Sequence, residues 1–216
     1  DEVFADVASG SAGIFVDAQG RNVIAVAPGA NEKLSAGFVA AQADAFAGAA
    51  VVLAQLEVAA DAVLASLQAA RTHGALALLN PAPANAPTTD ALVAAADVLT
   101  PNETEFAALL QRHAGVVQDP AQVATLDDAT LHGLCRRLAP AATVVVTLGA
   151  GGAFVSHPAG QRRGDELDAW RLPCVPVQVR DTTGAGDAFS GALAARLALQ
   201  PDAPFGDAVR FATRYA

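Results

Sequence analysis

Short, nearly uninterrupted apolar runs alternate along this chain with longer stretches in which apolar residues recur every three or four positions. The runs at 50–54, 75–79, 98–100, 142–147 and 153–155 are too short for buried helices. They predict strands covered on both faces, as in a parallel sheet. The periodic stretches predict helices over 35–46, 59–72, 101 to about 110, one within 119–139, 185–199 and 205 to about 213. Ser35 reads as the N-cap of the first, and Thr125-Leu126-Asp127-Asp128 carries a capping signal. Near the start, 12–16 and 22–26 read as two strands about the turn Asp17-Ala18-Gln19-Gly20, a hairpin too small to be stable alone. The polar stretch 157–172 predicts a surface loop, 173–177 a return to the sheet, and 201–204 a turn. Strands that alternate with helices predict an α/β fold, a doubly wound and mainly parallel sheet flanked by helices.

Composition narrows the possible partners. The chain has 216 residues, enough for one domain with a sizeable core. Although 53% of it is hydrophobic, it has no continuous apolar run long enough to span a bilayer and no basic start followed by an apolar segment. The expectation is a soluble, cytoplasmic protein without a membrane partner. A net charge of −9, with 13 scattered Lys and Arg residues, speaks against nucleic acid. Cys135 and Cys174 lack redox or metal-ligand spacing, and the four histidines are dispersed, so buried reduced thiols and no transition-metal site are expected. The chain starts Asp1-Glu2-Val3, contains no methionine and ends within a predicted helix. It therefore reads as part of a longer polypeptide whose N-terminal part and C-terminal end are missing.

Candidate chemistry concentrates in residues 179–191. Gly184 and Gly186 remove side chains just where the pattern turns helical, so the amides of Gly184, Ala185 and Gly186 can point outward as an anion site. Asp187, on the first turn, fits a base that takes a proton from an attacking hydroxyl. A tight connection with a capping Asp fits the same residues. Glu57 follows the strand 50–54, at the sheet edge where doubly wound folds bind ligands, and also fits a helix cap. Asn102 and Glu105, three apart after Thr100-Pro101, have the spacing of a capping box. Thr147 leads into the glycine-rich turn Gly149-Ala150-Gly151-Gly152, and no P-loop pattern occurs. Glu57, Asn102, Glu105, Thr147 and Asp187 all follow predicted strands, so one carboxyl edge would gather them.

The stretch Asp181-Thr182-Thr183-Gly184-Ala185-Gly186-Asp187-Ala188-Phe189 resembles the C-terminal signature of the ribokinase-like (phosphofructokinase B) carbohydrate kinases. The resemblance covers nearly the whole chain. Thr147-Leu148-Gly149 with Gly152 resembles another segment of that family, and Gly29-Ala30-Asn31, Gln55-Leu56-Glu57, Asn80-Pro81-Ala82-Pro83 and Pro101-Asn102-Glu103-Thr104-Glu105 bring the chain closest to the ribokinase branch. It implies a small β lid, to which residues 1–31 would belong, over an α/β kinase core of residues 32–216. It implies phosphoryl transfer from ATP to a small sugar, ribose at its 5-hydroxyl, with Asp187 as base and Gly184, Ala185 and Gly186 as the anion hole. Glu57 would contact the sugar. Asn102, Glu105, Thr147, Gly149, Gly152 and Thr213 would border the nucleotide, with Mg2+ held by Glu105 through water. Asp181 and Thr183 match positions that help to hold an activating K+, and a homodimer through the lid is implied. The family's N-terminal sugar-binding Asp and Gly-Gly segment are not in this sequence, and Arg214 and Tyr215 depart from its small residues. Fructose, another sugar, a nucleoside, or a non-catalytic binding role on the same fold stay open.

Overall fold

The computed structural model describes residues 3–17, 22–174 and 182–216. The expected turn at 17–20 and the sheet return at 173–177 fall largely outside them. Two strands, β1 (Ser11–Val16) and β2 (Asn22–Ala27), pair antiparallel as a sheet of their own, with Ile14 opposite Ile24. Phe15, Val16, Val23 and Val26 are exposed on it. Among the described residues the main sheet has six strands: β3 (Val51–Ala54), β4 (Leu76–Leu79), β5 (Val98–Leu99), β6 (Thr143–Thr147), β7 (Ala153–Ser156) and β8 (Ala169–Leu172). They lie side by side in chain order, parallel from β3 to β6 and antiparallel from β6 through β8.

Successive residues of these strands face opposite cores, as a pleated backbone requires. Leu78, Val98, Val145 and Val155 pack against Phe189 and Leu193 of α8 (Ala185–Leu199) and Phe205 and Val209 of α9 (Phe205–Ala212). Leu79, Leu99, Val144, Val146 and Phe154 face the other way, where α3 (Ala60–Thr72), α4 (Asp90–Ala95), α5 (Glu103–Leu109) and α7 (Asp128–Leu138) supply Leu67, Leu92, Phe106 and Leu131. Each such buried side chain contributes about 1.5–3 kcal/mol relative to exposure. Both faces being covered explains the unbroken apolar runs of the sequence.

Several elements differ from the sequence expectation. The helix expected over 35–46 is two short ones, α1 (Ala36–Ala40) and α2 (Ala43–Ala47). Ser35 does cap the first, its Oγ accepting from the Phe38 N–H at 3.0 Å. Only Val39 is buried on either helix, so no continuous apolar stripe holds one long axis on the core. The stretch 119–139 likewise holds two helices, α6 (Pro120–Val123) and α7, with Asp127 capping the second through the Thr130 N–H at 2.9 Å. Six-residue α4 was too short to show a period. The polar stretch 157–172 contains β8, in which Trp170 and Leu172 pack on the core beside α9 while Arg171 reaches across to the Asp128 carboxylate at 2.6 Å.

The loop between β7 and β8 is anchored by a buried polar network. His157 is fully buried; its Nε2–H donates to Asp165 Oδ2 at 3.1 Å and its Nδ1 accepts from the Thr143 hydroxyl at 3.1 Å, an assignment dictated by the network. Asp165 also accepts from Trp170 Nε1 at 3.0 Å and from the Gly206 N–H at 2.7 Å, which fixes the head of α9. Burial holds the His157 imidazole below its ordinary value of 6.5, outweighing the opposing pull of Asp165. The unfolded chain therefore takes up the proton first as pH falls through about 6.5, and the folded state loses stability below that point. His132, also depressed by burial, acts in the same direction.

Between about pH 7.5 and about pH 5.5, thermal unfolding of the wild type shows a larger fall in Tm than His157→Gln, whose amide does not titrate; equal falls would refute the linkage. Gly152, at φ 84°, sits where an added Cβ would lie 2.0 Å from the Leu172 carbonyl oxygen. Gly152→Ala therefore loses more than the about 1–2 kcal/mol of a left-handed residue alone. Gly133→Ala, in open space on α7, gains about 1 kcal/mol in denaturant unfolding.

Candidate active site

The carboxyl ends of the parallel strands bring several of the candidate residues together. Beyond β5 the chain passes through buried Thr100 and Pro101 into α5. Asn102 Oδ1 accepts from the Glu105 N–H at 2.9 Å, and Glu105 Oε2 accepts from the Asn102 N–H at 2.9 Å. This reciprocal box is the capping expected from the spacing, and it does not exclude a second task for the pair. Glu105 is only 7% exposed. Burial pushes its carboxyl above the ordinary glutamate value, and the nearby Asp187 and Glu103 charges push the same way, against the lowering effect of the bonds with Asn102.

The end of β6 docks directly on this corner. Thr147 donates its N–H to the Pro101 carbonyl at 2.9 Å and pairs with Asn102 as an isolated parallel bridge. The glycine turn then closes with the Leu148 N–H on the Gly152 carbonyl at 2.8 Å. Glu103 Oε1 lies 4.0 Å from where a side chain on Gly149 would begin, so the acidic first turn of α5 borders the turn.

Helix α8 supplies the remaining groups. Gly184, its N-cap, is left-handed at φ 77°, a conformation that favours glycine. The first helical bond runs from the Ala188 N–H to the Gly184 carbonyl at 2.8 Å. Of the three amides expected to face an anion, that of Ala185 is drawn back to the Thr182 carbonyl at 3.2 Å. Those of Gly184 and Gly186 donate to no carbonyl among the described residues. Asp187 is exposed, and among the described residues its carboxylate has no ion pair. Its influence on Glu105 places the two carboxylates in one electrostatic neighbourhood. Thr183 lies in the exposed turn before Gly184, while Asp181 is outside the described residues.

Glu57 and Thr213 are not bonded to this group. Glu57 is exposed past the end of β3, its N–H turned onto the Gln55 side chain. The preceding Leu56 N–H donates to the Ala82 carbonyl at 2.9 Å, which joins this loop to the Asn80-Pro81-Ala82-Pro83 stretch. Thr213 follows α9 and donates its hydroxyl to the Val209 carbonyl at 2.9 Å.

One further link has little signal in the local pattern. Thr100 and Ser190, both buried, meet at 3.1 Å between their hydroxyl oxygens. A hydroxyl in the apolar middle of a helix was the available signal. A cavity of about 650 Å³ lies at the opposite end of the sheet, lined by residues such as Val51, Arg71, Asp97, Arg163 and Asp202. Its arginines and aspartates offset one another, and none of the candidate residues reaches it. Among the described residues no three His, Cys, Asp or Glu side chains could hold a metal ion. Glu105 nevertheless fits a hydrated cation, since its charged form is penalised by burial and by Asp187 and would gain from a positive neighbour. No helix among the described residues is long and apolar enough to cross a membrane.

The chain is 36% identical to mouse ribokinase over 197 residues, covering 91% of this chain and 56% of that protein. To Staphylococcus aureus ribokinase it is 34% identical over 210 residues, covering 97% and 63%. The crystal structure of Thermotoga maritima ribokinase superposes with a TM-score of 0.74 at 26% identity, over 96% of this chain and 61% of that one. The chain thus spans less than two thirds of the length of these relatives. The family model for pfkB family carbohydrate kinases matches residues 3–216, and with a ribokinase-like α/β fold around the corner just described, the chain belongs to that family.

Proposed function

We propose that this chain is the greater part of an ATP-dependent sugar kinase that transfers the γ-phosphate of ATP to the 5-hydroxyl of ribose. The observation that carries the reading is the Asn102–Glu105 box, whose buried carboxyl feels the charge of Asp187 at the head of α8. Ribose follows from the relatives, which are ribokinases. Asp187, exposed and unpaired among the described residues, accepts the proton of the attacking hydroxyl. The open amides of Gly184 and Gly186, aided by the dipole of a 15-residue helix, face the charge that builds on the transferred phosphoryl group. The Ala185 amide joins them once its long bond to Thr182 opens. Positioning and electrostatics carry most of such a reaction.

Thr147, Gly149 and Gly152 border the phosphates and ribose of the nucleotide, and Thr213 its adenine. Glu57 contacts the sugar from the end of β3. Asn102 and Glu105 hold Mg2+ through its water shell, and that cation neutralises phosphate charge when bound. Thr183, with Asp181, helps to hold K+. The β1–β2 hairpin belongs to a lid over the sugar, residues 32–216 form the core, and exposed Phe15, Val23 and Val26 suit pairing of two lids in a cytoplasmic homodimer.

With the full-length protein, ATP consumption assayed against ribose, fructose and adenosine gives the highest kcat/KM for ribose; no turnover by a folded sample would refute the kinase reading. Asp187→Asn lowers kcat by about 10²–10⁴ with ATP binding retained in calorimetry, and an active variant would remove the assigned base. Glu105→Gln keeps an acceptor for the Asn102 N–H and therefore the fold. It raises the Mg2+ concentration for half-maximal turnover about tenfold or more, and an unchanged Mg2+ dependence would dissociate Glu105 from the cation.

A further inference from the structure

Thr100 and Ser190 are each 3% exposed, 90 positions apart, and joined hydroxyl to hydroxyl at 3.1 Å. Thr100 occupies the exit of β5, two residues before Asn102, and its N–H is fixed on the Leu79 carbonyl at 3.0 Å. Ser190 lies on α8, three residues past Asp187, so the two share one side of the helix. The other buried residues of α8, Phe189 and Leu193, are apolar. Apolar contacts are non-directional, whereas a hydrogen bond has a preferred length and angle, so this bond adds a directional constraint to the packing of Phe189 and Leu193. A rotation or slide of α8 carries Asp187 with it relative to Glu105.

We propose that the Thr100–Ser190 hydrogen bond is a positioning clamp: it sets the rotation and depth of α8 on the sheet, and thereby the placement of Asp187 against the Asn102–Glu105 corner. The clamp touches neither substrate nor reacting atoms. It rests on the kinase reading for its effect on turnover, and on geometry alone for its effect on the head of α8.

The test uses Thr100→Val, which keeps the shape and removes the hydroxyl, Thr100→Ser, which keeps the hydroxyl, and Ser190→Ala, which favours the helix. In the full-length protein Thr100→Val and Ser190→Ala lower kcat about tenfold, with KM for ATP and ribose within about twofold. Thr100→Ser restores kcat, and the Thr100→Val/Ser190→Ala double variant is no worse than either single one. Amide NMR gives a second reading: the Gly184 and Gly186 cross-peaks at the head of α8 shift in Thr100→Val and return in Thr100→Ser. A merely structural bond would lower Tm and leave both readings alone, so a folded Thr100→Val with wild-type kcat and unmoved cross-peaks overturns the clamp. Should Thr100→Val fail to fold, Ser190→Ala gives the same two readings. If the parent protein phosphorylates no sugar, the kinase reading fails and the amide cross-peaks alone decide the clamp.

Discussion

Four neighbouring strands that run in one direction leave their chains at one edge, and the rest of the site depends on that constraint. β3, β4, β5 and β6 are parallel, so Glu57, Asn80 and Asn102, beyond their strands, and Thr147, at the end of β6, lie on the same side. The constraint holds because both faces of the sheet are covered: Leu78, Val98 and Val145 on one side, Leu79, Leu99 and Val144 on the other. Had either face lacked its helices, parallel strands would have been a poor solution. The antiparallel β7 and β8 close one side of the sheet, and the His157–Asp165 network ties their connection to α9.

At that edge, the Glu105 carboxyl is held where burial and the Asp187 charge oppose its ionisation. Glu105 pays for burial and for the neighbouring Asp187, and the capping bonds with Asn102 offset only part of this. A protein concerned only with stability would place glutamine at Glu105, since an amide caps as well without a charge. On the proposed reading the unfavourable charge is kept because a hydrated divalent cation and a phosphoryl group complete the balance. The absence of a clustered metal cage among the described residues is compatible with a cation that retains its waters.

Most of the fold could be read from the chain because both-face burial writes uninterrupted apolar runs, and 50–54, 75–79 and 142–147 coincide closely with β3, β4 and β6. The misses share a cause. α1 and α2 were read as one helix, and α4 was not foreseen, because elements of five or six residues lack the length to display a period. β8 was hidden by its polar flanks, since Trp170 and Leu172 alternate with Arg171 over only four residues. At the site, the Asn102–Glu105 spacing is fully legible as a box, and Gly184 and Gly186 as the entry to a helix. The diversion of the Ala185 amide to Thr182 and the meeting of Thr100 with Ser190 are not, because each is set by tertiary placement rather than by local pattern.

The long separation between the two halves of the corner bears on how the molecule comes into being. During synthesis, a polypeptide that has emerged through Leu172 already possesses every described strand and the buried Glu105 corner, but not α8. Asp187 emerges within the next fifteen residues, on the order of seconds later. On the proposed reading a nascent chain therefore has no means of splitting nucleotide wastefully before its last helices dock. The same delay leaves the α8-facing side of the sheet, with Leu78, Val98 and Val145, bare on the ribosome, so that side is where a chaperone would find its grip.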